Sequence, residues 1–407
     1  MRPLPDAQRD VLEAMRPLPV EAVSLWNALG LALAKDVVAP HDVPPFANSA
    51  MDGYAVRSDD VGDLPVELEV IEDVPAGHVA DGRVEPGTAI KIMTGAPLPS
   101  GADTVVRVED TEPGEGKVRI LAAEPRANVR RAGGDVEAGT VVFEAGTRLT
   151  PPHLGSLATI GVAAPEVHRR PRVAILSTGD EVVPPDTAEL GPGMIRDANR
   201  PLLTGLLDEL GAEVIDLGIV GDDADALTSS LVRGAEVADV VATSGGVSMG
   251  EYDLVKAVLA ELGDVEFWKV AMQPAKPFAF GHLGATPLFG LPGNPVSVMV
   301  AFEQFLRPAL LKMMGSRFLF RPRVPAVAGE RFVTDPEKTV FLRVTVAVED
   351  GRWVARSAGG QASNVLSAAA VADAFAVIPV GVDVVDRGDA VTLEMFRWPE
   401  NRGEGAP

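Results

Sequence analysis

Val173-Ala174-Ile175-Leu176-Ser177-Thr178-Gly179-Asp180-Glu181 opens the part of the chain that decides the fold. Four apolar residues run without interruption into two hydroxyls, a glycine and two acids. A short continuous apolar run reads as a strand buried on both faces, as in a parallel sheet. The pattern then repeats. A helical stretch at Pro201–Leu210 stops at Gly211, and an apolar run follows at Glu213–Val220. A helix near Ala224–Val237, the run Val240–Thr243, a glycine loop at Ser244–Gly250 and a helix at Leu254–Leu262 come next. Pro287–Leu291 leads into Pro292-Gly293-Asn294-Pro295 and a long helix to Met314. Strands alternating with helices predict a doubly wound, mainly parallel α/β sheet.

The texture differs on either side. Pro5–Met15 carries Val11, Leu12 and Met15 among charges and predicts a short amphipathic helix. From Asp42 to Val136 short alternating runs appear at Glu67–Val70, Ala89–Met93, Thr104–Val108 and Lys117–Leu121, separated by Gly and Pro. They predict a β-rich domain. After Arg321 short strands return at Arg323–Ala328, Phe341–Val348, Trp353–Ser357, Ala374–Ile378 and Ala390–Met395, the pattern of a small β-barrel or sandwich. The expected division is a discontinuous helical linking domain (1–41 and 136–170), a β-rich domain (42–135), the α/β domain (171–317) and a C-terminal β-barrel (318–407).

Composition narrows the function. The 407 residues are 46% hydrophobic and 23% charged, and 58 acids against 36 bases leave a net charge of −22. About half of that excess falls within 172–315. A field of this sign disfavours nucleic acid and anionic membranes as partners. There is no cysteine, which excludes disulfides, thiolate zinc sites, iron–sulfur clusters and cysteine nucleophiles. His41, His78, His153, His168 and His282 show no ligand spacing, so any metal is expected to be hard and carboxylate-bound. No secretory signal is evident at the N-terminus. The longest run without acids or bases, Pro277–Phe302, is broken by Gly and Pro. A soluble cytoplasmic protein is expected. Walker-type, GxGxxG and GxSxG motifs are absent.

Three loops follow predicted strands of the α/β region: Ser177–Glu181, Ser244–Asp253 and Leu291–Pro295. Ligands of open α/β sheets bind at the carboxyl ends of strands. Glycine lets a ligand approach the backbone closely, and N–H groups at helix starts favour an anion. Asp180, Glu181, Asp222 and Asp253 fall in or beside these loops. Taken singly each reads as a helix cap. Together, beside an anion-binding loop, they suggest Mg²⁺ held by one or two carboxylates plus substrate phosphates. Lys269 and Lys276, set between Trp268 and Pro277 in an acidic region, are candidate oxyanion ligands.

Six motifs, in order along nearly the whole chain, carry a family resemblance: Ser49-Ala50-Met51-Asp52-Gly53-Tyr54-Ala55, Met93-Thr94-Gly95-Ala96, Arg130-Arg131-Ala132-Gly133-Gly134-Asp135, Ser177-Thr178-Gly179-Asp180-Glu181, Ser244-Gly245-Gly246-Val247-Ser248 with Asp253, and Leu291-Pro292-Gly293-Asn294-Pro295. The chain resembles the molybdopterin molybdotransferase family, which includes MoeA and the gephyrin E domain. The resemblance implies insertion of molybdenum from molybdate into adenylylated molybdopterin, with Mg²⁺-dependent release of AMP. It implies an elongated homodimer with shared sites, and a transient contact with the adenylyltransferase that makes the substrate. Asp52 and Thr94 would serve the partner chain's site. Glu181, Asp222 and Asp253 would hold metal and act in catalysis. Ser177, Thr178, Gly179, Asp180, Ser244, Gly245, Gly246, Ser248, Lys269, Pro292, Gly293, Asn294 and Pro295 would bind the pterin nucleotide. Gln273, Lys276, Arg343 and Ser363 would bind molybdate, and some family members have lysine where this chain has Gln273. Two rival readings are a pterin adenylyltransferase using ATP, and a non-catalytic scaffold of the gephyrin type.

Overall fold

A computed structural model describes residues 1–246 and 254–398 of the chain. Helix α1 (Leu4–Ala14) starts at a proline and has Asp6 in its first turn, where an acid complements the helix dipole. Its buried face, Leu4, Ala7 and Val11, follows helical spacing. That face does not pack on the neighbouring segments of the linking region. It enters the core of the α/β domain, alongside Phe302, Phe305 and Leu310. The Gln8 amide donates to the Gln304 side chain at 3.1 Å, and Lys312 donates to the Leu12 carbonyl at 2.6 Å.

Residues 53–120 form a six-stranded sheet. Its strands are β1 (Gly53–Val56), β2 (Val66–Val74), β3 (Thr88–Ile92), β4 (Thr104–Arg107), β5 (Thr111–Gly114) and β6 (Lys117–Ile120), in the order β4-β1-β3-β2-β6-β5. Segments on both sides of it, around 28–39 and 149–167, meet in one apolar cluster that includes helix α2 (Pro151–Thr159) through Leu157.

The strand–helix alternation from residue 172 is present. Strands β7 (Arg172–Thr178), β8 (Glu213–Val220), β9 (Val240–Ser244), β10 (Asp264–Lys269), β12 (Pro277–Leu283) and β13 (Thr286–Leu291) form one sheet. The two-residue strand β11 (Met272–Gln273) lies between β10 and β12 in sequence and belongs to another sheet. The sheet order is β8-β7-β9-β13-β12-β10, with the β8-β7-β9-β13 pairings parallel and β12 antiparallel to both its neighbours. Successive residues of β7 face opposite layers: Val173 and Ile175 join one core, Ala174 and Leu176 the other. Helices therefore cover both faces, which explains the unbroken apolar run. Helix α3 (Asn199–Leu210) ends at Gly211, whose φ of 91° provides the left-handed cap. Helices α4 (Ala224–Val237) and α5 (Leu254–Leu262) match the expected positions.

The long helix expected up to Met314 is divided. An α-helical piece, α6 (Pro295–Ala301), passes through a π-helical turn at Phe302–Leu306 into α7 (Arg307–Met313). The turn carries the buried Glu303, which receives two hydrogen bonds from Arg321, both 2.8 Å. Burying a carboxylate in a helix requires such a partner.

The last region is the expected barrel. Strands β14 (Arg323–Ala328), β15 (Thr339–Glu349), β16 (Arg352–Ser357), β17 (Ala374–Ile378) and β18 (Ala390–Met395) run in the order β15-β16-β14-β18-β17, and β17 pairs back to β15 to close the ring. Among the described residues no helix is long and apolar enough to cross a membrane.

Candidate functional site

Strand pairing sets Ser177 opposite Ser244, and Ser244 opposite Leu291. The carboxyl ends of β7, β9 and β13 therefore lie side by side, and the three loops singled out in the sequence leave from them. They wall one cavity of about 1190 Å³. The loops touch: a Cβ on Gly293 would sit 3.9 Å from the Gly245 Cα. Two positions of the loop after β9 require glycine. Gly245 has φ 96° and its Cβ would meet the Thr178 hydroxyl at 2.8 Å; Gly246 has φ 68° and its Cβ would meet Val255 at 2.1 Å.

Hydroxyls and amides line this floor. The Ser177 hydroxyl donates to Asp197 Oδ1 at 3.1 Å. Asn199 Nδ2 donates to the Gly293 carbonyl at 2.6 Å. Ser244 Oγ and Asn199 Oδ1 are buried and have no partner among the described residues. Both residues belong to the cavity wall. Orphaned buried polar atoms carry a desolvation penalty that a ligand can relieve.

One wall is acidic. Glu181, after β7, and Asp222, after β8, both line the cavity, and neither carboxylate is paired with a described residue. Asp222 is not the helix cap that it reads as singly; the next residue is. Asp223 caps α4 by accepting the Ala226 N–H at 2.8 Å, which leaves Asp222 free. Asp180 stands outside the cavity wall and accepts the Asp222 N–H at 2.8 Å, fixing that turn. Two free carboxylates beside orphaned donors and acceptors fit a Mg²⁺ that completes its shell with water and phosphate oxygens. No group of three or more possible ligands occurs among the described residues; such an ion does not need one.

A further part of the lining carries Lys276 and is shared between domains. Gln273 and Lys276 come from the α/β region and Ser363 from the barrel. Asn294 Nδ2 donates to the Ser363 hydroxyl at 2.9 Å, and the Ser363 carbonyl accepts the Val296 N–H at 3.2 Å. Pro292 and Pro295 complete this side. Ala275, between the two molybdate candidates, holds a positive φ of 72°, a strained conformation for a residue with a Cβ.

Other expected residues lie elsewhere. Arg343 is 1% exposed in the barrel wall and lines a second cavity of about 480 Å³ that shares Gln273, Pro274 and Gln361 with the first. Its guanidinium donates to the carbonyls of Gly360 (2.9 Å) and Ala362 (3.1 Å), while its Nε has no partner. Burial pulls its pKa below the ordinary value, yet no carboxylate pairs with it among the described residues. Lys269 ends β10 outside the large cavity, and its carbonyl accepts the Arg2 N–H at 2.7 Å. Asp52 and Thr94 lie on the 53–120 side of the molecule. The Thr94 N–H (2.7 Å) and hydroxyl (2.8 Å) donate to Asp52 Oδ1, and these bonds hold the Asp52 carboxyl below the usual range. Ser248 and Asp253 lie outside the described residues.

Several wall residues escaped sequence reasoning. Asp197 accepts bonds from Ser177, from the Asn199 and Arg200 N–H groups, and from Arg200 Nε at 2.8 Å. An acid just before a predicted helix was the available signal. Lys338 and Gln361 carried none, since both reach the cavity through barrel geometry.

Comparisons with known proteins agree along the whole chain. The family described as the MoeA N-terminal region (domain I and II) matches residues 2–161; a probable molybdopterin binding domain matches 174–312; the MoeA C-terminal region (domain IV) matches 325–396. A Mycobacterium tuberculosis protein named molybdopterin molybdenumtransferase 2 is 42% identical, covering 97% of this chain and 99% of its own length. The Haemophilus influenzae molybdopterin molybdenumtransferase is 38% identical over the same shares. The crystal structure of the molybdopterin biosynthesis MoeA protein of Pyrococcus horikoshii superposes with a TM-score of 0.84 at 30% identity, covering 97% of this chain and all of that one.

Proposed function

The chain belongs to the MoeA family, it is a molybdopterin molybdenumtransferase, and from that membership we propose how its cavity works. The substrates are adenylylated molybdopterin and molybdate. The pterin nucleotide lies on the floor made by Ser177–Gly179, Ser244–Gly246 and Pro292–Pro295. Its phosphates face the Gly245-Gly246 turn, where Cβ atoms are excluded and the backbone can be approached closely. Ser244 Oγ and Asn199 Oδ1 find their missing partners in the ligand.

Glu181 and Asp222 are the residues that would hold Mg²⁺, together with Asp253 from the family pattern. The ion, when bound, offsets the charge of the pyrophosphate as AMP leaves. Asp180 keeps the Asp222 turn in place through its bond to the Asp222 N–H. In the part of the lining shared between domains Lys276, Gln273 and Ser363 hold molybdate beside the pterin dithiolene, with Arg343 supplying positive charge from the neighbouring cavity. Much of the rate then comes from holding two substrates in register. Both substrates are polyanions, and the wall residues meet them with free cations, hydroxyls and amides in a confined space, where charge interactions strengthen.

The observation that carries this reading is the pair of unpartnered carboxylates, Glu181 and Asp222, lining the same cavity as Lys276. The transferase names of full-length relatives favour it over the adenylyltransferase and scaffold readings. Mixing the protein with adenylylated molybdopterin, Mg²⁺ and molybdate should yield AMP and active cofactor together. Pyrophosphate formed from ATP and molybdopterin would indicate the adenylyltransferase instead, and ligand binding without AMP release would indicate the scaffold.

The exposed Asp52–Thr94 pair, flanked by Met51 and Met93, each 43% exposed, supports a homodimer in which the pair completes the partner's cavity. Complementation tests this. Mixtures of the inactive variants Asp52→Ala and Asp222→Ala should regain activity if sites are shared, and stay inactive if each chain is self-sufficient. The reading places the protein in the cytoplasm, receiving its nucleotide substrate from the adenylyltransferase.

A further inference from the structure

The cavity lining contains a residue that neither the motifs nor the spacing assigns. Lys338 lines the large cavity and comes from the residue just before β15. The reason it arrives there is backbone pairing. β11 runs parallel to β15, with Met272 opposite Thr339 and Gln273 opposite Val340, and the Thr339 N–H donates to the Ala271 carbonyl at 3.0 Å. The barrel is thus stitched to the segment that carries Gln273 and Lys276.

Charge balance then singles Lys338 out. Among the described residues three cationic ones line the cavity: Arg196, Lys276 and Lys338. The Arg196 guanidinium is committed to the carbonyls of Thr187 (2.7 Å) and Ala188 (3.3 Å). Lys276 has no hydrogen-bond or ion-pair partner among the described residues. Lys338 is paired only with Asp335, three residues away, which does not line the large cavity. The Lys338 side chain is 17% exposed, the Asp335 side chain 30%. The Lys338 hydrogen bond, the Glu337 N–H and the more distant charge of Lys276 all hold the Asp335 carboxyl below its usual range. Two lysines from two domains therefore line the same cavity, and one of them is paired with an acid that lines the neighbouring cavity. A dianion is held more tightly where more than one cation reaches it; Arg343 lines the neighbouring cavity rather than this one, and Gln273 contributes no charge.

We propose that Lys338 is the second cation of the oxyanion subsite, acting with Lys276 on molybdate, and that Asp335 is its counter-ion in the empty site. The inference rests on reading this part of the lining as the molybdate site. On arrival of the dianion the Lys338 ammonium exchanges Asp335 for a molybdate oxygen, a small swing of a flexible four-carbon side chain. Asp335 thereby competes with the ligand and sets how strongly it is held.

Equilibrium dialysis of the full-length protein with radiolabelled molybdate, in parallel with AMP, tests it without relying on turnover. Lys338→Gln should weaken molybdate binding about tenfold, the scale of a lost charge-assisted bond, and leave AMP binding unchanged. Lys338→Arg should retain most of the affinity. Asp335→Asn, which removes the competitor, should tighten binding. Gln273→Lys placed in the Lys338→Gln background should restore binding, because strand pairing puts both positions beside one subsite. Wild-type affinity in Lys338→Gln alongside weakened binding in Lys276→Gln overturns the proposal and leaves the functional reading standing. No molybdate binding by the wild type overturns both. Should Lys338→Gln fail to fold, unchanged affinity in Asp335→Asn overturns the proposal by itself.

Discussion

The two ends of the parallel strands treat aspartate in opposite ways. At the amino end Asp239, just before β9, is fully engaged. Arg169 donates to its carboxylate twice, at 2.6 and 2.7 Å, and the Arg172 N–H adds a third bond at 2.8 Å. Burial alone would raise its pKa, but these bonds and the nearby arginine charges outweigh burial and lower it. At the carboxyl end Glu181 and Asp222 have no such partners among the described residues. A paired acid stabilises the fold; an unpaired acid facing a cavity costs stability and is retained for a ligand.

Experiments can break or sharpen that contrast. Asp222→Ala removes a free carboxylate, so turnover should fall about 10²- to 10³-fold, the loss of several kcal/mol of charge stabilisation. Thermal unfolding of that variant should match the wild type or rise slightly. Near-normal AMP release would erase the distinction between the two ends. Asp239→Ala should do the reverse, lowering stability by about 2 kcal/mol in denaturant titrations while kcat is preserved.

The Asp239 contribution also has a pH signature. A carboxyl whose folded pKa lies below its ordinary value of 3.8 stabilises the fold fully above that value. The contribution declines as pH falls below 3.8 and vanishes once pH has passed through the folded pKa. The stability gap between wild type and Asp239→Asn should therefore be constant near neutrality and close in strong acid.

Gly246→Ala imposes positive φ on a residue with a Cβ, about 1–2 kcal/mol, and a collision with Val255. AMP affinity should drop about tenfold by calorimetry, and unchanged affinity would mean the glycine turn does not face phosphate. The smallest effect belongs to Ser363→Ala, which removes the hydroxyl accepting the Asn294 amide. The loss of one hydrogen bond, about 1 kcal/mol, should weaken molybdate binding about fivefold and leave AMP binding alone.

The central sheet was legible because both of its faces are covered. Val173–Leu176 and Val240–Thr243 are continuous apolar runs for that reason, and Gly211 marks the end of α3 by its conformation. The antiparallel hairpin β12–β13 was harder to see, since Gly281 and Gly284 interrupt its apolar pattern. The strand-end loops were legible as loops, and their convergence follows from strand order. Adjacent acids were not separable in sequence: Asp222 and Asp223 both precede α4, and only the backbone turn decides which one caps it. Lys338 was invisible because its place depends on a pairing between β11 and β15, segments far apart in the chain. Arg343 entered through family resemblance alone, and the structure gives it a physical character, a buried cation paired with carbonyls and no carboxylate.

Helix α1 has one more consequence. Leu4, Ala7 and Val11 share a core with Phe302, Phe305 and Leu310, so this helix meets those partners only after nearly all of the α/β domain has been made. Until then its apolar face is uncovered while the β-rich region folds between the two halves of the interface. Closing so long a loop is slow, and exposed apolar surface invites misassociation in the interval. The acidic surplus of the chain helps here, since nascent copies of like charge repel one another on the same message.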